Sequence, residues 1–467
     1  MPLLLIAYLA LFIFLCNKNL KTGILLTIVL LPAYLFRFSI SQIPTTLLEL
    51  SILSCFLVWF IKNHRSILKT KIKRGKTPYP FAIEIILILT ISFAAIFVGS
   101  ITNSALGIFK AYFLEPIMFF VVIINSFKGS QGMRQIIMAL VCSSLLVSLF
   151  AVYQKITGDF IFNNFWANPE NRRVVSFFGY PNAVALFLAP IIPLNIALFF
   201  WQLRGRGALK IFGEQVILLF SLVLNVLAVY FSQSKGAILA LLCSLLIFIF
   251  ILLKRKIKIA LLIIFIIAVP SFYYWQKDWI ELRLSATLSY QIRNLQWRET
   301  MKMLHDGRFL WGSGLAKYQT SVAPYHQEGF FFNKDAEIDF QRKLLFGSDQ
   351  NYRDERWQPL EIYLYPHNIF LNFWVELGLA GMIIFTILIL RFLFISLKYY
   401  YKNKDNRNGY LALGLFFSML IILLHGLVDV PYFKNDLSVL FWIIIALLAM
   451  FRLQKGTLTN YGKNKLN

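Results

Sequence analysis

The chain has 467 residues, of which 58% are hydrophobic and only 15% are charged, and its mean hydropathy is +0.67. A water-soluble domain of this length is rarely so apolar, and repeated long apolar runs are typical of membrane-spanning helices. The formal net charge of +24 does not indicate nucleic-acid binding, because the basic residues lie in short clusters between the apolar runs.

The pattern predicts an all-α, polytopic membrane protein with about 13 transmembrane helices, within a range of 12–14. The predicted spans are 2–16, 22–38, 44–61, 81–99, 108–127, 136–154, 176–202, 215–232, 236–253, 259–275, 368–390, 411–430 and 437–453. The first run follows Met1 and Pro2 without a basic segment or a small-residue cleavage site, so we expect no cleavable signal peptide. The four cysteines lie inside apolar runs, which favours buried thiols over disulfides or a zinc site.

The distribution of basic residues predicts the orientation of the chain. One set of alternate loops holds 27 Lys and Arg residues, namely 17–21, 62–80, 128–135, 203–214, 254–258, 391–410 and 452–467. The opposite short loops hold few basic residues. With thirteen spans every cluster falls on the same side, which we therefore assign to the cytoplasm, leaving the N-terminus outside.

Four regions follow from this topology: N-terminal transmembrane helices over 1–275, one large extracytoplasmic loop over 276–366, C-terminal transmembrane helices over 367–453, and a cytoplasmic tail over 454–467. The large loop holds 12 basic and 12 acidic residues, so its charge does not oppose translocation. Its first part, 279–305, is predicted to be helical, and the rest to be loop with short helices. A loop of this length between spans is usually functional.

The segment from Pro366 to Gly381 carries the most informative polar pattern. It places His367 at the outer mouth of a span, Glu376 nine residues further in, and two glycines three residues apart. An imidazole at a membrane surface can activate a hydroxyl or bind a phosphate, and glycines permit close packing. Helix capping by the histidine and ordinary glycine packing is the alternative interpretation.

This run, P-H-N-x-x-L-x-x-x-x-E-x-G-x-x-G, resembles the signature of the O-antigen ligase and polymerase superfamily. Three further segments are similar to that family and occur in its order: Arg173 with Gly-Tyr-Pro-Asn at 179–182, Ser-Lys-Gly at 234–236, and Arg293 and Trp297 with Trp-Gly-Ser-Gly at 311–314. One position departs from the pattern, because the family usually has arginine where this chain has Lys235. Lysine keeps the charge but lacks the bidentate fork of arginine.

The resemblance implies a membrane glycosyltransferase in the inner membrane of a bacterium, with its active site on the periplasmic side. Its donor would be a glycan linked to undecaprenyl diphosphate, and its acceptor a hydroxyl, with lipid A-core favoured. A polysaccharide polymerase and a protein O-oligosaccharyltransferase share the motifs, and a transporter or a scaffolding protein is a further alternative. No cofactor, metal or nucleic acid is implied.

The resemblance also implies roles for individual residues. His367 would be catalytic. The diphosphate or substrate would be bound by Lys235, Arg173, Arg293, Arg172, Asn182 and Asn368. Secondary, structural roles would fall to Glu376, Gly378, Gly381 and Trp297. By residue pattern alone, the three arginines are better explained as anchors at the membrane interface, whereas for Lys235, in a very short loop between two spans, the two interpretations are nearly balanced.

Several other polar residues fall within the predicted spans, namely Glu49, Glu84, Lys110, Glu115, His425 and Asp429. His425 and Asp429 are one helical turn apart, near the outer end of the twelfth predicted span. They form either a second functional pair or a packing hydrogen bond, and we favour packing.

Overall fold

A computed structural model of the protein describes residues 2–40, 43–69, 81–204 and 208–463. This part of the chain is mostly helical, as predicted. Residues 70–80 and 205–207 of two predicted basic loops, and 464–467 of the predicted tail, lie outside the described residues.

The N-terminal half consists of helices and one short hairpin. Its helices are α1 Pro2–Lys18, α2 Leu20–Val29, α3 Leu47–Lys69, α4 Ala82–Ala95, α5 Asn103–Ile108, α6 Glu115–Ser126, α7 Gly129–Thr157, α8 Asn164–Ala167, α9 Pro181–Leu188, α10 Ile191–Leu203, α11 Ala208–Ser232 and α12 Lys235–Leu252. A π-helical turn at Phe109–Leu114 joins α5 to α6. Strands β1 Arg37–Ile40 and β2 Ile43–Thr46 pair in antiparallel fashion before α3.

The second half contains the large predicted loop and the last spans. Its elements are α13 Arg255–Ser285, α14 Leu288–Met303, α15 Tyr318–Val322, β3 Gly329–Phe331, α16 Phe340–Phe346, α17 Gln350–Asp354, β4 Trp357–Pro359, α18 Ile369–Asn403, α19 Arg407–Gly426 and α20 Asn435–Lys463. Within the predicted loop, the predicted helix 279–305 is divided between the end of α13 and α14.

Nine helical segments of the described chain are long and apolar enough to cross a membrane. They are Leu47–His64, Asn103–Ser126, Gly129–Thr157, Pro181–Leu203, Gly213–Ser232, Lys235–Leu252, Arg255–Ser285, Ile369–Asn403 and Arg407–Gly426. Shorter apolar helices occupy Leu5–Lys18, Leu20–Val29, Ala82–Ala95 and Asn435–Phe451. The polytopic helical class is therefore confirmed, whereas the count of thirteen spans and the extracytoplasmic position of the loop stay predictions.

The core of the bundle lies around α10, α19 and the first half of α20. Residues 437–451 of α20 are buried without interruption, and α19 is buried along most of its length. A helix that is apolar on all faces suits such a central position. In contrast, α13 has no buried residue and lies at the edge of the fold. The turn between α19 and α20 therefore joins two central helices.

Helix α18 contains a break that the large loop fills. Gly378 has φ 75° and ψ 177°, and a Cβ atom there would lie 2.5 Å from the carbonyl oxygen of Leu310. The loop backbone replaces helical hydrogen bonds, since Leu379 N–H donates to Leu310 at 3.0 Å and Ser313 N–H donates to Val375 at 2.7 Å. Glycine is required at Gly378 because only it combines this φ with so close an approach. The close packing expected of this glycine is thus made with a loop.

Candidate functional site

The polar residues of the motifs converge on the turn between α19 and α20. Residues 427–430, called the Asp429 turn below, follow α19 directly and present the backbone carbonyls of Leu427 and Val428 and the Asp429 carboxyl group. Side chains from α9, α14 and the start of α18 hydrogen-bond to this turn. The site is therefore built from segments that lie up to about half the chain apart.

His367 is held in place by its two neighbours in the sequence. The indole N–H of Trp297 donates to the Pro366 carbonyl at 2.8 Å. Asn368 caps α18 by accepting from Leu371 N–H at 3.0 Å, and its amide donates to the Leu427 carbonyl at 3.0 Å. His367 itself has φ 47°, in the left-handed region that non-glycine residues seldom occupy. Backbone held in such a conformation is often found at functional sites.

The imidazole of His367 contacts the Asp429 carboxylate. Its Nδ1 lies 3.4 Å from Asp429 Oδ1, and the side chains are 18% and 2% exposed. The Val430 N–H donates to the same oxygen at 2.9 Å, and the Asn182 amide donates to Oδ2 at 3.1 Å. Among the described residues, none hydrogen-bonds to His367 Nε2. A carboxylate on Nδ1 favours the tautomer that leaves Nε2 free to accept a proton.

Asp429 is kept ionised by its surroundings. Burial acts to raise the pKa of its carboxyl group, but the hydrogen bond and charge of His367, with the charges of His425 and Arg293, outweigh burial and hold that pKa below its usual range. A depressed carboxyl pKa stabilises the fold at pH values above about 3.9, and this stabilisation is lost as the pH falls through the lower, folded-state pKa. The surroundings of Asp429 therefore favour its ionised form.

Arg173 is linked to the site by its contacts with the end of α11 and with Asn182. Its Nε donates to the Ser232 carbonyl at 3.0 Å, and one terminal nitrogen lies 3.4 Å from Asn182 Oδ1. A cation at a helix C-terminus is favourable because the last carbonyls carry partial negative charge. Burial lowers the pKa of the Arg173 guanidinium. Arg173 thus connects the α11–α12 turn to the amide that binds Asp429.

Arg293 contacts the Asp429 turn from α14. Its Nε donates to the Val428 carbonyl at 2.8 Å, and another guanidinium nitrogen donates to the carbonyl and hydroxyl oxygens of Ser289. The five donors of a guanidinium exceed these three bonds. Arg293 therefore has donors left for a ligand at the turn.

Lys235 is the exposed first residue of α12, next to a glycine that packs on the same turn. A Cβ atom on Gly236 would lie 2.8 Å from a methyl carbon of Val428 and 3.0 Å from the ring of His425. This close approach brings the N-terminus of α12 against the Asp429 turn. No side chain caps that N-terminus, so its first N–H groups and the lysine charge together form a favourable place for an anion.

Three predicted site residues make contacts elsewhere. The guanidinium of Arg172 donates to the Lys155 carbonyl at 2.9 Å and to Ile156 and Ala167, which makes it a cap for the end of α7. Glu376 lies about one helical turn beyond Asn372 along α18, not at the Asp429 turn, and accepts from the Ala316 N–H at 2.8 Å. Gly381 faces Leu377 of its own helix.

Asp429 and Tyr365 were not predicted to belong to the site. Asp429 was noted only as a polar residue in a span and interpreted as packing against His425, whereas the structure gives it contacts to His367 and Asn182. Tyr365 stacks edge-on against His367 with ring centroids 5.1 Å apart, and its hydroxyl lies 3.4 Å from that of Tyr180. The sequence contains one signal for Asp429, which is an acidic residue within an apolar run. Placing a charged side chain there costs free energy, so such residues usually serve a function.

Within residues 2–40, 43–69, 81–204 and 208–463, no three His, Cys, Asp or Glu side chains form a group that could hold a metal ion. The polar groups that meet at the Asp429 turn are one imidazole, one carboxylate and several cations.

Comparison with known families agrees with the motifs. Residues 220–386 match the family model described as O-antigen ligase, which confirms the resemblance. A search of curated proteins finds no significant match to the chain. The matched range contains Lys235, Arg293 and His367, whereas Asn182 and Asp429 lie outside it.

Proposed function

We propose that this chain, a membrane protein of the O-antigen ligase family, transfers a glycan from undecaprenyl diphosphate to an acceptor hydroxyl. The observation that carries the proposal is the contact between His367 and Asp429 at a turn that Arg293, Asn182 and the N-terminus of α12 also reach. A base and several cations around one point suit the transfer of a group from a diphosphate leaving group.

His367 acts as the general base in this proposal. Asp429 holds the ring by Nδ1 and stabilises the imidazolium that forms, so that Nε2 takes the proton of the acceptor hydroxyl. The acceptor oxygen forms a bond to the anomeric carbon, and the bond from that carbon to the diphosphate oxygen breaks. The electron pair leaves with the diphosphate, and the imidazolium later releases its proton to water.

The diphosphate is bound by cations and N–H groups in this proposal. Lys235 and the N-terminus of α12 supply a point charge and helix-end donors, and Arg293 supplies its remaining guanidinium donors. Because the leaving group gains charge as the bond breaks, these groups stabilise the transition state more than the ground state. Arg173 positions Asn182 and the α11–α12 turn.

We place the reaction at the outer face of a bacterial inner membrane. This assignment is supported by the clustering of Lys and Arg in the alternate loops on the opposite side of the predicted topology. Lipid A-core is the favoured acceptor on the family description. Another lipid-linked glycan or a protein hydroxyl would define a polymerase or an O-oligosaccharyltransferase.

The test is transfer from a purified undecaprenyl-diphosphate glycan by His367→Ala in nanodiscs. We expect a loss of about 100-fold or more, because general-base catalysis contributes about 10²–10⁴-fold. The matched control is His305→Ala, since His305 is an exposed histidine that hydrogen-bonds to the Met301 carbonyl and packs against Phe309, away from the Asp429 turn. Transfer that is equally fast in both variants would remove His367 from the chemistry.

The same assay identifies the acceptor. Lipid A-core, additional donor and a Ser-rich protein are supplied separately, and the product that gains mass is the acceptor. Movement of the lipid-linked glycan across the membrane without transfer would support a transporter and contradict the proposal.

A further inference from the structure

A second polar cavity lies beside His367 and is not used by the chemistry above. It has a volume of about 290 Å³ and is formed by the start of α5, the segment 316–319, the residues before His367, and α18. Tyr365 belongs both to this cavity and to the site around His367, because it lines the cavity and its ring also contacts the imidazole. The volume is near the lower end of the range of about 300–1,000 Å³ typical of small-molecule sites.

The floor of the cavity carries polar groups that are not fully paired. Asn372 and Glu376 are four residues apart on α18, so they lie on one face of the helix, and they are 1% and 4% exposed. Asn372 Oδ1 is buried with no hydrogen-bond partner among the described residues. Glu376 uses Oε2 to accept from the Ala316 N–H, which leaves Oε1 for another donor. A buried acceptor without a partner is unfavourable, so a ligand or water that donates to it is expected.

The walls combine aromatic rings with an open polar mouth. Tyr112, Tyr318, Tyr365 and Phe433 supply the rings. The mouth is formed by Ser104, Gln319 and Leu364, all of which are exposed. Amide and carboxylate acceptors on a floor between aromatic walls suit a ring that carries hydroxyl donors on its edge and C–H groups on its faces.

We infer that this cavity binds one neutral sugar ring of the glycan substrates, with hydroxyl groups donating to Asn372 and Glu376. A uronic acid is disfavoured because its carboxylate would face that of Glu376. The cations at the Asp429 turn and the sugar in this cavity then lie on either side of His367 and Tyr365. The inference rests on the proposed function, since it assigns the cavity to the same substrates.

The experiment measures protection of a cysteine at the mouth of the cavity. Ser104→Cys is labelled with a hydrophilic maleimide at pH 8, and the unsubstituted chain supplies the background from its four cysteines. Glucose, galactose and N-acetylglucosamine are added in turn, with glucuronic acid at the same concentration. We expect a neutral sugar above its Kd to slow labelling about threefold or more. Ser348→Cys, at an exposed loop position, is the control for non-specific effects.

Substitutions of Asn372 and Glu376 test whether these two side chains cause the protection. Asn372→Ala in the Ser104→Cys chain is expected to abolish the protection. Glu376→Gln keeps an oxygen for the Ala316 N–H but removes the charge, so glucuronic acid is expected to protect as well as a neutral sugar does. The inference would be overturned if no neutral sugar slowed the labelling of Ser104→Cys. It would also be overturned if glucuronic acid slowed the labelling equally while Asn372 and Glu376 were unchanged.

The sugar site and the proposed glycan transfer can be tested independently of each other. In a Ser104→Cys chain that also carries His367→Ala, transfer is expected to be lost while protection is retained. Protection by the lipid-linked donor alone assigns the sugar to the donor, and protection by lipid A-core alone assigns it to the acceptor. Protection by neither, with His367 essential for transfer, would overturn the sugar site and leave the proposed function intact.

Discussion

Two buried carboxylates in this protein look alike in the sequence and differ in what their partners can do. Glu49 accepts from Lys110 at 2.7 Å, from Thr45 at 3.0 Å and from Asn435 at 2.6 Å. Asp429 likewise accepts from three groups, one of which is the imidazole of His367.

The two carboxylates differ in the basic group that each one binds, which is Lys110 for Glu49 and His367 for Asp429. The Lys110 ammonium also donates to the Pro44 carbonyl at 3.1 Å, so its bonds tie β2, α3 and the π-helical turn together. The imidazole of His367 keeps its Nε2 for a substrate and is still partly exposed. The two buried acids therefore differ in the chemistry of the group that they bind: an imidazole can take up a proton near neutral pH, whereas an ammonium has only donors.

The largest expected effect is on transfer. Asp429→Asn removes the charge that orients His367, and we expect kcat to fall about 100-fold or more, because an amide no longer favours the productive tautomer. Glu49→Gln should change kcat less than about threefold, as its network contacts no reacting group. Both are measured with the lipid-linked donor, after thermal unfolding has shown that each variant is folded.

An equal loss of kcat in both variants would erase the distinction between the two carboxylates.

Stability should respond in the opposite order. Glu49→Gln removes one charge of an ion pair whose side chains are 6% and 27% exposed. We expect the free energy of unfolding to fall by about 1–3 kcal/mol, because the half-buried ammonium of Lys110 loses its counter-charge. Denaturation in a defined detergent measures this change. Lys110→Met in combination with Glu49→Gln should recover part of the loss, and a double variant less stable than either single variant would contradict the pairing.

The smallest expected effect concerns Lys235, which is exposed and whose side chain makes no hydrogen bond or ion pair within the described part of the chain. Lys235→Ala should raise the donor KM about tenfold with little change in thermal stability, because one charge–phosphate contact is lost. Lys235→Arg should restore the KM to within about threefold, since arginine keeps the charge and adds a fork. Steady-state kinetics at two salt concentrations measure both, and an unchanged KM for Lys235→Ala would remove this residue from the diphosphate site.

The sequence by itself determined the helical, membrane-spanning class of this protein and its resemblance to the O-antigen ligase family. Long apolar runs must form helices in a bilayer, because every backbone N–H and C=O group needs a partner there. The motif around His367 and the Ser-Lys-Gly turn were also visible, since each depends on a few adjacent residues.

Only the tertiary structure decided which polar residues meet. Asp429 lies 62 residues from His367 and Asn182 lies 247 residues from Asp429, and no local pattern links such positions. Arg172 and Arg173 are neighbours, yet one caps α7 and the other binds the end of α11, because successive residues of an extended segment point in opposite directions. Local spacing determines helices, whereas the packing of distant helices around the α19–α20 turn determines the site.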